Sequence, residues 1–151
     1  MKYWATTGFQ TVSAASDLLE FVAPSDAVVL IHELHIGQSS DGASSDSEML
    51  QASVIRAHTT SGSGGGSATV TPLETGQPAA GGTYERNNTT QATGGSPATL
   101  FATAFNVLSG LVHVFDPPIV VSPSQRCVLT ISAPADALTL SANALIDELG
   151  G

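Results

Sequence analysis

The chain is a succession of short apolar and β-branched runs, each closed by a cluster of Gly, Pro, Asn, Asp or Ser, and this punctuation leaves few foldings open. The clearest run is "AVVLIHELHIG", residues 27–37, which starts as a continuous apolar stretch and then alternates. Alternation with a period of two sets Val28, Leu30, His32, Leu34 and Ile36 on one face of a strand, and Val29, Ile31, Glu33 and His35 on the other. In the second half, "ATLFATAFNVLSG", "LVHVF" and "PIVVS" follow the same logic, and Pro117-Pro118 is expected to break the last two apart. "RCVLTISA" and "ALTLSANALIDEL" read as a pair joined by a turn at 134–136. With "FQTVSA", "LLEFVA" and "MLQASVIRAH", the pattern predicts about eight to ten short strands and an all-β, single-domain β-sandwich of jelly-roll-like form. The competing reading is an α+β domain with helices over 47–57 and 98–108. Residues 1–12 read as an N-terminal arm, and residues 13–151 as the sandwich.

One stretch resists this pattern. "HTTSGSGGGSATVTPLETGQPAAGG", residues 58–82, contains seven glycines and only Val70 and Leu73 as large apolar side chains. Ordering a residue costs roughly 1–2 kcal/mol of backbone entropy, so a long Gly/Ser-rich loop needs a partner to be held in place. A glycine backbone lies close against a neighbour. A second subunit is therefore one expectation for that partner, with His58, Thr59, Gly64, Val70 and Leu73 as candidate oligomer-interface residues; a solvated surface loop is the other.

With 151 residues the chain has the length of one domain with its own core. Four Lys and Arg against thirteen Asp and Glu give a formal charge of −9, which repels nucleic-acid phosphates. No run of eighteen apolar residues suggests a membrane span, and no signal-peptide pattern opens the chain, so synthesis in the cytoplasm is expected. Cys127 is the single cysteine and shares a strand face with Leu129 and Ile131, which reads as packing.

Chemistry-bearing motifs are weak. In "HELH" the histidines His32 and His35 lie three apart on a strand and point to opposite faces, unlike the four-residue helical spacing of zinc proteases. His58 and His113 leave a cupin-like metal site as a minor alternative. Asp41, Asp46 and Glu48 could offer oxygen to calcium but lack the spacing of an EF-hand, so a solvated loop is expected. "TSGSGGGS" lacks the Lys-Ser/Thr of a phosphate loop, and no nucleophile elbow occurs. No catalytic residue, metal or cofactor is assigned. Tyr3 and Trp4 read as anchors that the core does not claim, or as a cover for one end of the sandwich.

Taken together, "IHELHIGQSSD", "LQASVIRAHTTSGSGGGSATVTPL", "NNTTQATGG", "FNVLSG" and "TISAPADALTLSANALIDE", spread over residues 18–148, resemble a family of small virion proteins of tailed phages and prophages, the head decoration or capsid cement type. The resemblance implies a non-enzymatic β-sandwich protein, a homotrimer, that binds the major capsid protein on the outer surface of the shell and bridges neighbouring subunits. Lys2, Tyr3, Trp4 and Phe9, in the segment least like the family, are the candidate capsid contacts. A carbohydrate- or receptor-binding module of the virion, or a tail or fibre component, is the alternative.

Overall fold

The computed structural model describes residues 1–40 and 47–150. Asp41 and Asp46 of the acidic loop lie outside them. Twelve strands and no helix occur among the described residues: β1 (Lys2–Thr6), β2 (Gln10–Val12), β3 (Ser16–Val22), β4 (Ala27–Gln38), β5 (Met49–Arg56), β6 (Gly66–Ser67), β7 (Thr69–Pro72), β8 (Thr83–Asn88), β9 (Ala98–Asn106), β10 (Leu111–Val121), β11 (Arg126–Ile131) and β12 (Leu138–Gly150). Both segments that the competing reading makes helical, 47–57 and 98–108, are instead largely strand, because each pairs along its length with a neighbour. β5 lies between β11 and β9.

The strands form two antiparallel sheets. The first runs β10-β4-β12-β1-β7, with β2 alongside β12; the second runs β6-β8-β3-β11-β5-β9. One core lies between them. Tyr3, Ile31, Leu34, Leu140 and Ile146 from the first sheet meet Leu19, Phe21, Leu50, Leu129 and Ile131 from the second, all fully buried. Burying each such side chain stabilises by about 1.5–3 kcal/mol relative to leaving it in water. Cys127 belongs to the same core, and burial pushes its thiol up to about 12.

Three expectations change. Residues 1–12 are no arm: β1 hydrogen-bonds on both edges, to β12 and to β7, and Tyr3 is fully buried. The Gly-rich segment is no free loop, for it supplies β6 to one sheet and β7 to the other, which raises the strand count above ten. And β10 continues through Pro117-Pro118. Val114 pairs with Glu33 and Ile119 with Ile31, so residues 115–118 bulge out opposite His32 alone. β10 is an edge strand, where prolines without N–H groups cost no second ladder.

The same irregularity breaks the alternation of β4. Val29 and Ile31 point inward, but after His32 the inward positions become Leu34 and Ile36. Strand β12 registers the shift too, with Ile146 opposite Ile31 and Leu145 opposite Glu33. A bulge changes which face a side chain takes, and here it turns Val28 and Leu30 outward, against the simple period.

Candidate functional site: a clasped glycine segment and an apolar sheet face

What holds residues 58–97 is a set of buried carboxylates on the opposing strands. Glu20, fully buried on β3, accepts hydrogen bonds from the Ser61 hydroxyl (2.7 Å), the Gly62 amide (3.0 Å) and the Asn88 side chain (3.2 Å), and pairs with the Arg126 guanidinium at 2.5 Å. Glu148, near the end of β12, accepts from the amides of Gly81 and Gly82 (2.9 Å each) and from the Tyr84 hydroxyl (2.5 Å). Asp17 on β3 accepts from the Ala92 amide at 2.7 Å. Each acid thus satisfies donors that the segment, poor in regular pairing, would otherwise leave buried and unpaired. Burial raises the Asp17 carboxyl above the ordinary carboxylate range, against the opposing pull of its hydrogen bond to Ala92. Burial and the bond to Glu148 raise the Tyr84 hydroxyl likewise.

Glycine is required where the segment crosses β8. A Cβ on Gly65 would stand 1.9 Å from the Arg86 carbonyl oxygen, and one on Gly62 would stand 2.7 Å from that of Thr90. Backbone bridges Thr60 to Thr93 and Ser63 to Thr90 complete the clasp. The glycines therefore close on this same chain. The His58 carbonyl accepts from Arg126, the Thr59 amide donates to the Thr93 carbonyl, and Gly64 sits against Thr89 with a left-handed φ of 88°. Val70 packs on the core from β7, whereas Leu73 is half exposed beyond it. Of these five candidate interface residues, His58, Thr59 and Gly64 lie in the connection between β5 and β6, Val70 lies in β7 and Leu73 just after it.

The surface the structure does assemble is the outer face of the first sheet. Strand register sets it in rows: Val112, His35, Asn143 and Thr6; Val114, Glu33, Leu145 and Trp4; Val120, Leu30, Asp147 and Lys2; and Val28 with Leu149. Val112, Val114 and Val120 are 68, 59 and 56% exposed, and Leu149 is 48% exposed. Exposed apolar side chains gathered on one sheet face in this way often mark an interaction surface. His35 and Glu33 form a pair at 3.1 Å within it, and the Trp4 ring meets His35 edge-on at 5.4 Å.

Of the candidate capsid contacts, Lys2 and Trp4 lie on this face, and Phe9 is exposed in the β1–β2 turn. Tyr3 is withdrawn: its side chain is in the core because position 3, flanked by Ile146 of β12 and Pro72 of β7, faces inward. His32 and His35 do take different environments, and among the described residues no three His, Cys, Asp or Glu side chains stand close enough to hold a metal. Glu48 accepts from the Ala135 amide at 2.9 Å. Sequence reasoning missed the valines of β10. Their signal was the alternation in "LVHVF", where His113 and Phe115 turn toward Phe101 of β9 and close the side of the core while the valines face out.

No family model, curated protein or solved structure matches the chain.

Proposed function

We propose that the chain is a non-enzymatic structural protein of a phage virion, a homotrimer that docks on the exterior of the capsid through the outer face of its first sheet and bridges neighbouring subunits of the major capsid protein. The observation that carries the docking part is the row of exposed valines on β10 beside Leu30, Leu145 and Trp4. Apolar area of that extent on a rigid, doubly clasped domain is what a protein partner covers. The capsid as that partner comes from the sequence resemblance.

The strand order supports a jelly-roll reading of the scaffold. Leaving aside β2 and the β6–β8 insertion, the sheets run β10-β4-β12-β1 and β3-β11-β5-β9, and the chain passes between them at nearly every step. The Gly-rich segment then lies in the connection from β5 to β9, which widens both sheets at one side. A trimer making three modest contacts would bind far more tightly than one copy. A sugar-binding role finds less support, since of eight aromatic residues only Phe9 is largely exposed.

The test combines light scattering with sedimentation against capsids that lack the protein. The wild type is expected to be trimeric and to pellet with capsids. The double variant Val112→Glu and Val114→Glu should stay trimeric and remain in the supernatant. A monomeric wild type that does not pellet would refute the reading; a variant that loses the trimer instead would move this face to the subunit interface.

A further inference from the structure

The four basic residues of this chain do different things. Arg126 is paired with Glu20, Arg86 donates to the Thr7 carbonyl at 2.7 Å, and Lys2 stands opposite Asp147 across the strand pair. Arg56 has no carboxylate partner among the described residues, and it lines a cavity of about 310 Å³. The cavity lies where four strand ends meet: the end of β5, the start of β9, the end of β10 and the start of β11. Apolar side chains of Ala98, Val120 and Val121 share its wall with Ser96, Ser122 and Gln125.

The backbone around this cavity is held in an uncommon conformation. Ala57, in the wall, has φ 69°, and Ser124, in the turn that carries Ser122 and Gln125, has φ 59°. These are two of the three left-handed residues other than glycine in the described chain. Gly95, next to Ser96, has φ 71° and leaves no room for a Cβ, which would stand 2.2 Å from the Ala57 carbonyl oxygen. Non-glycine residues in this region cost free energy and persist where surrounding structure fixes them, commonly at ligand sites.

We propose that this cavity binds a carboxylate carried on a short apolar stem, with the Arg56 guanidinium on the carboxylate, hydroxyl and amide groups of Ser96, Ser122 and Gln125 around it, and the stem against Val120 and Val121. A guanidinium fork matches one carboxylate with two parallel hydrogen bonds. A cation without a carboxylate partner, in a protein of charge −9, suits a monoanion better than a phosphate dianion, which the surrounding field repels. The carboxylate has two sources, a free small acid or an acidic side chain in an exposed segment of another protein. Val120 borders both this cavity and the valine face, but the remaining lining is distinct, and the proposal does not rest on the capsid reading.

The experiment is a titration of the full-length ¹⁵N-labelled protein with hexanoate, with hexanamide as the uncharged control and a capped Ala-Glu-Ala peptide as the second arm. Hexanoate is expected to give saturable shifts at the amides of Ser96, Ser122 and Gln125, while hexanamide gives none. Arg56→Gln should weaken hexanoate at least tenfold, and Arg56→Lys, which keeps the charge but loses the fork, should weaken it less. If Arg56→Gln disturbs the fold, the salt dependence of hexanoate binding to the wild type replaces it, and affinity must fall as NaCl rises. Saturation by the peptide as well assigns the site to protein carboxylates; saturation by hexanoate alone assigns it to a free acid. Equal shifts with hexanamide, no saturation by either carboxylate, binding unchanged in Arg56→Gln or binding indifferent to salt would overturn the proposal.

Discussion

Replacing Glu20 by alanine probes the clasp at its centre. Four donors converge on this carboxylate, but they do not suffer equally when it is removed. Ser61 and Asn88 also donate to Glu85, at 3.2 and 2.8 Å, so each keeps a partner. The Gly62 amide is left without a partner, and the Arg126 guanidinium keeps only its bond to the His58 carbonyl. Removing one member of a buried ion pair costs about 3–5 kcal/mol, and an unsatisfied buried amide about 1–3 kcal/mol. Arg126 retains 16% exposure and reaches some water, which discounts the first figure, so a loss of about 4 kcal/mol is expected from these terms. That is a shift of roughly 8–16 °C in melting temperature for a chain of this size. The assay is urea unfolding, with hydrogen exchange at Gly62 and Ser63 read alongside the amides of β12. Exchange at the first pair should accelerate well beyond the global effect. The double variant Glu20→Ala, Arg126→Met should recover part of the loss, because no uncompensated charge remains. A loss under about 1 kcal/mol, or a double variant as unstable as the sum of the singles, would refute the account of the clasp.

Three further outcomes follow from the same geometry. Gly65→Ala should destabilise by about 1–3 kcal/mol in urea unfolding, since the backbone must move away from Arg86; an unchanged midpoint would mean that the crossing is loose. Asp17 has a raised carboxyl pKa in the fold, so the native state holds its proton more tightly than the unfolded chain. Its contribution to stability is therefore greatest in acid and is lost as pH rises from the ordinary carboxylate value through the raised one. Asp17→Asn should accordingly gain on the wild type between pH 4 and pH 7, and a gap that moves the other way would contradict the burial argument. Cys127, with its thiol pushed up to about 12 and its side chain in the core, should react with a thiol reagent at pH 8 only as fast as the protein opens. Labelling at the rate of a free thiol would disprove that.

The fold class was legible because period-two runs and turn clusters are local signals, and β4, β5, β11 and β12 fall where the pattern places them. The departures have non-local causes. "MKYWAT" looks like an unclaimed arm because its two neighbours, β12 and β7, are more than sixty residues away in sequence. The faces of Val28 and Leu30 depend on a bulge imposed from β10, and nothing within residues 27–37 announces it. Least legible was the Gly-rich stretch. Its stabilising partners, Glu20 and Glu148, lie on strands that flank it by tens of residues on either side, and a lone Glu within an apolar run is silent about what it will accept. Of the outer face, only the alternation in "LVHVF" was available, and it does not by itself say which side meets the core.

The clasp and the charge balance are connected. Asp17, Glu20 and Glu148 are among the buried polar residues, and burying a carboxylate is costly unless hydrogen bonds or a cation satisfy it. The Gly-rich segment meets this requirement mainly with backbone amides, which carry no formal charge. One guanidinium, Arg126, serves Glu20; Glu148 and Asp17 are held by amides together with the Tyr84 hydroxyl on the former. Glycine's bare backbone is what lets Gly62 and Gly82 bring their N–H groups to these carboxylates, so the composition that resists ordering is the one that permits it. A chain with four cations can then bury three acids while committing one of the four to them. Arg56 is left facing its cavity, and substitution of Glu20 alone would release a second cation, Arg126, in the same wall.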